Sequence, residues 1–123
     1  MINLIFIYFF LLPKSHQDLT VFLSKDQTNL IPYTAEFDCV QFSETLIKSA
    51  NSEGFDSIPV MVGWNTDNGI ALHEFVSFST SDGIIWVEPQ NDKEYIVSEN
   101  SLCYTDGECV TKDLLFVYYA SEK

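Results

Sequence analysis

Residues 57–88 read SIPVMVGWNTDNGIALHEFVSFSTSDGIIWVE and decide the fold of this chain. Three apolar runs in this stretch are separated by TDNG and TSDG, which carry the Asn, Asp and Gly residues that tight turns require. KEYIVS at 93–98 continues the pattern after another turn sequence, PQND. The stretch therefore predicts an antiparallel meander of β-strands, which SLCY at 101–104 and LLFVYYA at 114–120 extend or pack beside.

Two helical patterns precede these strands. Ser15 and Asp18 have the spacing of a capping box, and the apolar period that follows predicts a helix over residues 16–25. A second helix is expected to begin after Asp38 and to end at Gly54. Its apolar face carries Cys39, Phe42, Leu46, Ile47 and Ala50. Helices followed by strands predict an α+β domain in which the helices pack on one face of an antiparallel sheet.

The length of 123 residues suits one domain. We assign residues 15–123 to it and residues 1–14 to an apolar N-terminal segment. The run MINLIFIYFFLL is too short to cross a bilayer but has the length of a signal-peptide core, which predicts secretion or cell-surface anchoring, with membrane association through residues 2–12. The alternatives are a buried segment and the end of a longer anchor, because no basic residue precedes the run and no small-residue cleavage site follows it.

The charge of the chain excludes one class of partner. Six lysines, no arginine and eighteen acidic residues give a net charge of −12, which repels a phosphate backbone, so we expect no nucleic acid partner. The acidic residues are scattered and form no block, which is typical of a surface that keeps a protein in solution. Nothing in the pattern indicates the oligomeric state.

The chain has three cysteines, at positions 39, 103 and 109. Cys103 and Cys109 flank TDGE at a spacing that a hairpin disulfide can span, and export would allow that bond. Cys39 would then be unpaired; the alternative is a reduced chain with three buried thiols. No CxxC or close His pair is present, so no metal site is predicted, and His16 is expected on the surface without a partner.

Cys39, His73 and Glu88 form the candidate catalytic set. Alternation along the strands places His73 and Glu88 on one face of the sheet, which we expect to be the face that the helix covers. A thiol in the first turn of a helix and near an imidazole is favoured as thiolate, although the Asp38 charge opposes this. His73 would move the proton, Glu88 would orient the ring, and the oxyanion would bind the Cys39 backbone N–H and a donor such as Tyr33 or Gln41.

The residue types alone also fit a structural interpretation. A single cysteine on the buried face of a helix usually packs, and a single histidine in a strand is usually a core residue with a hydrogen-bond partner. What favours chemistry is the order of YTAEFDCVQFSETLIKSANSEGF around Cys39, ALHEFVSF around His73 and DGIIWVEPQND around Glu88.

These three motifs resemble the transglutaminase-like superfamily. Its papain-like core has a cysteine that opens a helix, followed by a histidine and an acidic residue on successive strands, and the likeness extends from residue 19 to about 97. The chain is similar in particular to small archaeal or bacterial surface proteins of that superfamily. It departs from them in having Glu74 and Phe75 after the histidine, where many members have Ala-Trp, and a glutamate in place of the commoner aspartate.

The resemblance implies a thiol-dependent acyl-transfer enzyme, a cysteine protease or amidase rather than a cross-linking transglutaminase. Cys39 would attack the carbonyl of a peptide or protein substrate, with His73 as base and acid and Glu88 as its orienting group. No metal or organic cofactor is required for this chemistry. The alternative is a noncatalytic cell-surface module that binds a peptide, a glycan or a partner protein on the same fold.

Overall fold

The computed structural model describes residues 13–119. The predicted apolar segment 1–14, except for its last two residues, and the membrane association through residues 2–12 lie outside this range. The elements are α1 (His16–Lys25), a 3-10 turn (Thr28–Leu30), α2 (Cys39–Ser52), β1 (Asp56–Thr66), β2 (Gly69–Thr80), β3 (Gly83–Val87), β4 (Glu94–Ser98), β5 (Ser101–Tyr104), β6 (Cys109–Thr111) and β7 (Leu114–Tyr119).

Both helices begin at the capping residues that the sequence predicts. The Ser15 hydroxyl accepts the Asp18 backbone N–H at 3.0 Å, and the Asp18 carboxylate accepts the Ser15 N–H at 2.9 Å. Asp38 and Gln41 form the same reciprocal pair at the start of α2. Each box binds two of the backbone N–H groups that a helix leaves unpaired at its N-terminus. The start of α2 at Cys39 is thereby fixed.

The strands form one antiparallel sheet in the order β6-β5-β4-β3-β2-β1-β7. The predicted meander is confirmed for β1 to β4 and extends through β5 and β6. Residues 114–119 extend the sheet, as predicted, but at its other edge: β7 pairs with β1, with Gly63 opposite Phe116. The two-helix, seven-strand arrangement confirms the α+β class.

Helices and strands enclose two apolar clusters on opposite faces of the sheet. On the first face, side chains of α1 and α2 pack against strand residues such as Val76 and Phe78. On the second face, all seven strands contribute to a cluster that includes Phe75 and Tyr95. Complete burial of a Phe side chain contributes about 2 kcal/mol, so both faces stabilise the sheet. Within residues 13–119, no helix is long and apolar enough to cross a membrane.

The sheet is strongly curved. β6 and β7 lie at its opposite edges, yet only residues 112 and 113 separate them in the chain. The edges must therefore approach each other, and the rings of Trp86 on β3 and Tyr119 on β7 accordingly lie 6.0 Å apart. The sheet closes around the second cluster, whereas the helices cover its outer face.

The fold tests two predictions from the sequence, one about the cysteines and one about His16. Cys103 and Cys109 lie opposite each other on β5 and β6 and form a disulfide, as predicted. All three cysteines of the chain are in the described range, so Cys39 is its one free thiol. The prediction that His16 has no partner is wrong, because its Nε2 lies 2.6 Å from the Glu94 carboxylate across the α1–β4 contact.

Candidate functional site

The candidate site is built around the carboxylate of Glu88, which directly follows β3. His73 on β2 places its Nε2 at 2.5 Å from Oε1 of Glu88, and the hydroxyl of Tyr95 on β4 donates to the same oxygen at 2.6 Å. The other oxygen accepts the backbone N–H of Gln90 at 3.1 Å. The structure thus brings together two of the three predicted residues, His73 and Glu88.

Glu88 is almost completely buried, with 3% of its surface exposed. Burial alone would raise its pKa, but hydrogen bonds from His73, Tyr95 and Gln90 and the charge of His73 outweigh it and hold the pKa of this carboxyl below its usual value. Glu88 is therefore ionised at neutral pH. An ionised acceptor at Nε2 makes that nitrogen a donor, so in the neutral form of the His73 ring the lone pair is on Nδ1.

His73 and Glu88 open into a cleft of about 230 Å³ at one end of the curved sheet. Its lining residues are Trp64, His73, Glu88, Gln90, Asn91, Tyr95, Tyr104 and Val110. The rings of Tyr95 and Tyr104 stack with their centroids 4.8 Å apart, which gives the cleft one aromatic wall. The cleft combines aromatic rings with polar side chains, among them the His73–Glu88 pair, and such a mixture suits a small-ligand or peptide site.

Cys39 is the first residue of α2 and is half-buried. The pKa of its thiol is raised, first by burial and further by the negative charges of Asp38, Glu74 and Glu88, while the backbone N–H of Glu74 approaches the sulfur and opposes the rise. The stabilisation of a thiolate that was expected from the helix N-terminus is therefore outweighed by burial and by these negative charges. In the resting protein Cys39 is a thiol.

The thiol and the His73–Glu88 pair approach the same edge of β2 from opposite faces of the sheet. His73 pairs with Val62 and belongs to the face that the second cluster covers, so the expectation that the helix covers it is wrong. Cys39 lies over the neighbouring residue, Glu74, on the helix side. β3 pairs with β2 only from Val76 onward, so none of the seven described strands pairs with this edge of β2 beside His73 and Glu74. Among residues 13–119, no hydrogen bond joins Cys39 to His73.

The predicted oxyanion donors differ in availability. Gln41 is used in the cap of α2, where its side-chain oxygen accepts the Asp38 N–H at 3.1 Å. Tyr33 stacks on Phe42 with its ring 58% exposed. The backbone N–H of Cys39 has no acceptor within the described part of the chain and remains available to a ligand oxygen.

Sequence reasoning missed Tyr95 as a member of this site. Its register was available: in a β3–β4 hairpin, alternation places Tyr95 beside Trp86 and on the same face as Glu88. Alternation could not predict the 2.6 Å hydrogen bond from the Tyr95 hydroxyl to Glu88, because that bond depends on the path of the turn after β3. No group of three or more His, Cys, Asp or Glu side chains in the described range is arranged to hold a metal ion.

Comparisons of the chain with models of protein families, with characterised proteins and with solved structures found no match.

Proposed function

We propose that this protein is a thiol-dependent acyl-transfer enzyme with a transglutaminase-like, papain-like core, acting as a cysteine protease or amidase on a peptide or protein substrate. The observation that carries the proposal is the buried, ionised Glu88 that accepts from Nε2 of His73. A histidine held in this way has a fixed ring orientation and, in its neutral form, an unprotonated Nδ1. The free thiol of Cys39 lies over the next residue of the same strand, Glu74.

The resting state of the thiol determines the mechanism. Because the pKa of Cys39 is raised, a preformed thiolate is not the reactant, and the proton has to leave as the sulfur attacks. His73 Nδ1 takes that proton, while Glu88 stabilises the imidazolium. The substrate has to bring the thiol and Nδ1 together, since the two share no hydrogen bond within residues 13–119.

The proposed reaction passes through a thioester on Cys39. The Cys39 sulfur forms a bond to the carbonyl carbon of the substrate, and the Cys39 backbone N–H stabilises the resulting oxyanion. His73 then returns its proton to the leaving amine, the C–N bond breaks and a thioester remains. Water attacks the thioester with His73 as base, and the proton returns to the sulfur as the acid product leaves. No metal or organic cofactor enters the sequence.

A second candidate is favoured by one observation. Cys39 does not line the cleft into which His73 and Glu88 open. A noncatalytic module that binds a peptide, a glycan or a partner protein in this cleft would need no thiol, and the His73–Glu88 pair would then serve as a polar anchor. Thiol reactivity separates the two candidates.

The test is the rate of alkylation of Cys39 by iodoacetamide as a function of pH. The reaction has one site, because the other two cysteines form a disulfide. If His73 accepts the thiol proton, the rate rises through an inflection that lies below the pH range in which the thiol itself ionises. His73→Ala removes this inflection and lowers the rate at neutral pH by about tenfold or more.

His16→Ala is the matched control. His16 is the other histidine of the chain and has the same kind of partner, a glutamate carboxylate at 2.6 Å. Its replacement should leave the alkylation profile unchanged, and Cys39→Ser should abolish labelling. A single inflection, in the range of thiol ionisation, that persists in His73→Ala would identify an ordinary buried thiol and would favour the binding module.

We also propose that the protein works in an oxidising compartment, at the cell surface or outside the cell. The disulfide between Cys103 and Cys109 supports this, since such bonds persist mainly outside the reducing cytosol. Trapping free thiols by alkylation in intact cells, followed by mass spectrometry, tests it. Recovery of these cysteines in the alkylated form would contradict export.

A further inference from the structure

The helix-side face of the sheet is only partly covered. α2 packs over the β1–β2 region, and its C-terminal end is fixed there by a hydrogen bond of 2.8 Å from Ser57 to Asn51. The helix begins at Cys39 above Glu74, and no other element within residues 13–119 covers the same face beyond it. The uncovered part consists of large apolar side chains that are 42–60% exposed: Ile70, Leu72, Phe116 and Tyr118. We name these four residues the apolar shelf.

The shelf is one continuous surface across three strands. Gly63 on β1 lies between Leu72 on β2 and Phe116 on β7 in the register of the sheet. A Cβ added to Gly63 would lie 2.4 Å from the Phe116 ring and 3.2 Å from Cδ2 of Leu72. Both side chains therefore close over this glycine. A contiguous exposed apolar surface on a small domain is often an interaction site.

The shelf begins next to the free thiol. Leu72 and Glu74 are two residues apart on β2 and point to the same face, at a spacing of about 7 Å. The backbone N–H of Glu74 is the group that approaches the Cys39 sulfur. A peptide with a carbonyl at Cys39 that runs along β2 toward Leu72 would place a side chain one or two residues away over Leu72.

The margin of the shelf on the side of α2 is negatively charged. Asp38 and Glu44 both act on the pKa of Glu74, which burial raises first and these two charges raise further, against the opposing effect of His73. In the described residues, none of these three carboxylates forms an ion pair with a lysine. A cationic group of a ligand would find here an uncompensated negative potential beside an apolar surface.

We propose that the apolar shelf binds a peptide segment in which an apolar side chain adjoins a lysine or arginine. The apolar side chain packs on Leu72 and Phe116, and the basic group binds the carboxylates around Glu74. The inference rests on the proposed function only for the attack by Cys39 on the bound peptide. Binding itself has a separate test.

The test uses the full chain with Cys39→Ser, so that no covalent step contributes. Fluorescence anisotropy measures its affinity for three labelled, end-blocked tetrapeptides that alternate leucine with lysine, leucine with glutamate, and glycine with lysine. The leucine–lysine peptide is expected to bind at least about tenfold more tightly than either of the others, and to weaken as salt screens the charges. Leu72→Ser with Phe116→Ser should lower its affinity by about tenfold.

The control replaces two equally exposed apolar residues elsewhere in the sheet. Ile84 and Ile96 are 58% and 53% exposed on β3 and β4, and their joint replacement by serine should leave peptide affinity unchanged. Equal binding of the leucine–glutamate peptide, or equal effects of the shelf and control variants, would overturn the inference. These outcomes concern the shelf alone, whereas failure of the His73-dependent alkylation concerns the catalytic proposal.

Discussion

Replacing Tyr95 with phenylalanine tests whether the network around Glu88 stabilises the fold through the charge of that carboxylate. The substitution removes one hydroxyl, which donates to Glu88 at 2.6 Å, and keeps the ring. The Tyr95 ring is buried, and its centroid lies 4.6 Å from that of Phe75 and 4.8 Å from that of Tyr104. Phenylalanine retains this aromatic packing. The measured effect is therefore that of the hydrogen bond.

The expected loss depends on the character of this bond. A hydrogen bond to an ionised group contributes about 2 kcal/mol, and the substitution leaves that oxygen of the buried carboxylate with His73 as its one described partner. The free energy of unfolding should fall by about 2 kcal/mol, which lowers the urea midpoint by about 1 M for a domain of this size. Tyr104→Phe is the control, because its hydroxyl accepts a long bond, 3.4 Å from Asn91, and donates none to Glu88 in the described residues.

The dependence on pH separates a charge effect from loss of packing. The folded pKa of Glu88 lies below its unfolded value, so this group contributes stability above the unfolded pKa, and the contribution is lost as pH falls through the folded pKa. Tyr95 is one of the groups that lower it, so the cost of Tyr95→Phe should be full at neutral pH and smaller well below about pH 4. A cost that is the same at both pH values, or no larger than that of Tyr104→Phe, would refute this reasoning.

Three further outcomes are expected from other parts of the structure. Burial beside Asp26 raises the pKa of Asp92 to about 6, so the contribution of Asp92 to stability is lost as pH rises through that value. In urea titrations, Asp92→Asn should therefore raise the free energy of unfolding by about 1 kcal/mol at neutral pH and give no gain below about pH 4. Asp38→Asn keeps the helix cap and removes a charge that raises the pKa of Cys39, so the ultraviolet absorbance of the thiolate should appear at lower pH. Asp38→Ala removes the cap as well and should also cost about 1 kcal/mol of stability. Replacing both cysteines of the β5–β6 disulfide by alanine should cost about 2 kcal/mol in the same urea assay, because the bond closes a short loop in the unfolded chain.

Local signals in the sequence were sufficient for the helices and for the meander. The spacing of Ser15 and Asp18 fixes the start of α1, and TDNG and TSDG fix the turns between β1, β2 and β3. These features depend on residues close together in the chain. β7 could not be placed in this way, because its partner β1 lies about fifty residues earlier and any exposed apolar edge would have suited the pattern.

The candidate site was predictable in part for the same reason. Strand alternation alone places His73 and Glu88 on one face, and the structure joins them at 2.5 Å. Alternation does not say which face the helices cover, since both faces of β2 are apolar around Phe75 and Val76. The state of the Cys39 thiol depends on carboxylates from three separate segments, so its raised pKa required the folded structure.

The position of β7 has a consequence for how this protein is made. β1 has an unpaired edge until residues 114–119 are available, because β7 is its partner on that side. During synthesis on the ribosome, β1 and β2 emerge first and expose that edge while the remaining strands are translated. Newly made chains should therefore be most prone to aggregation in this interval, and a chaperone that binds extended apolar segments should recognise β1.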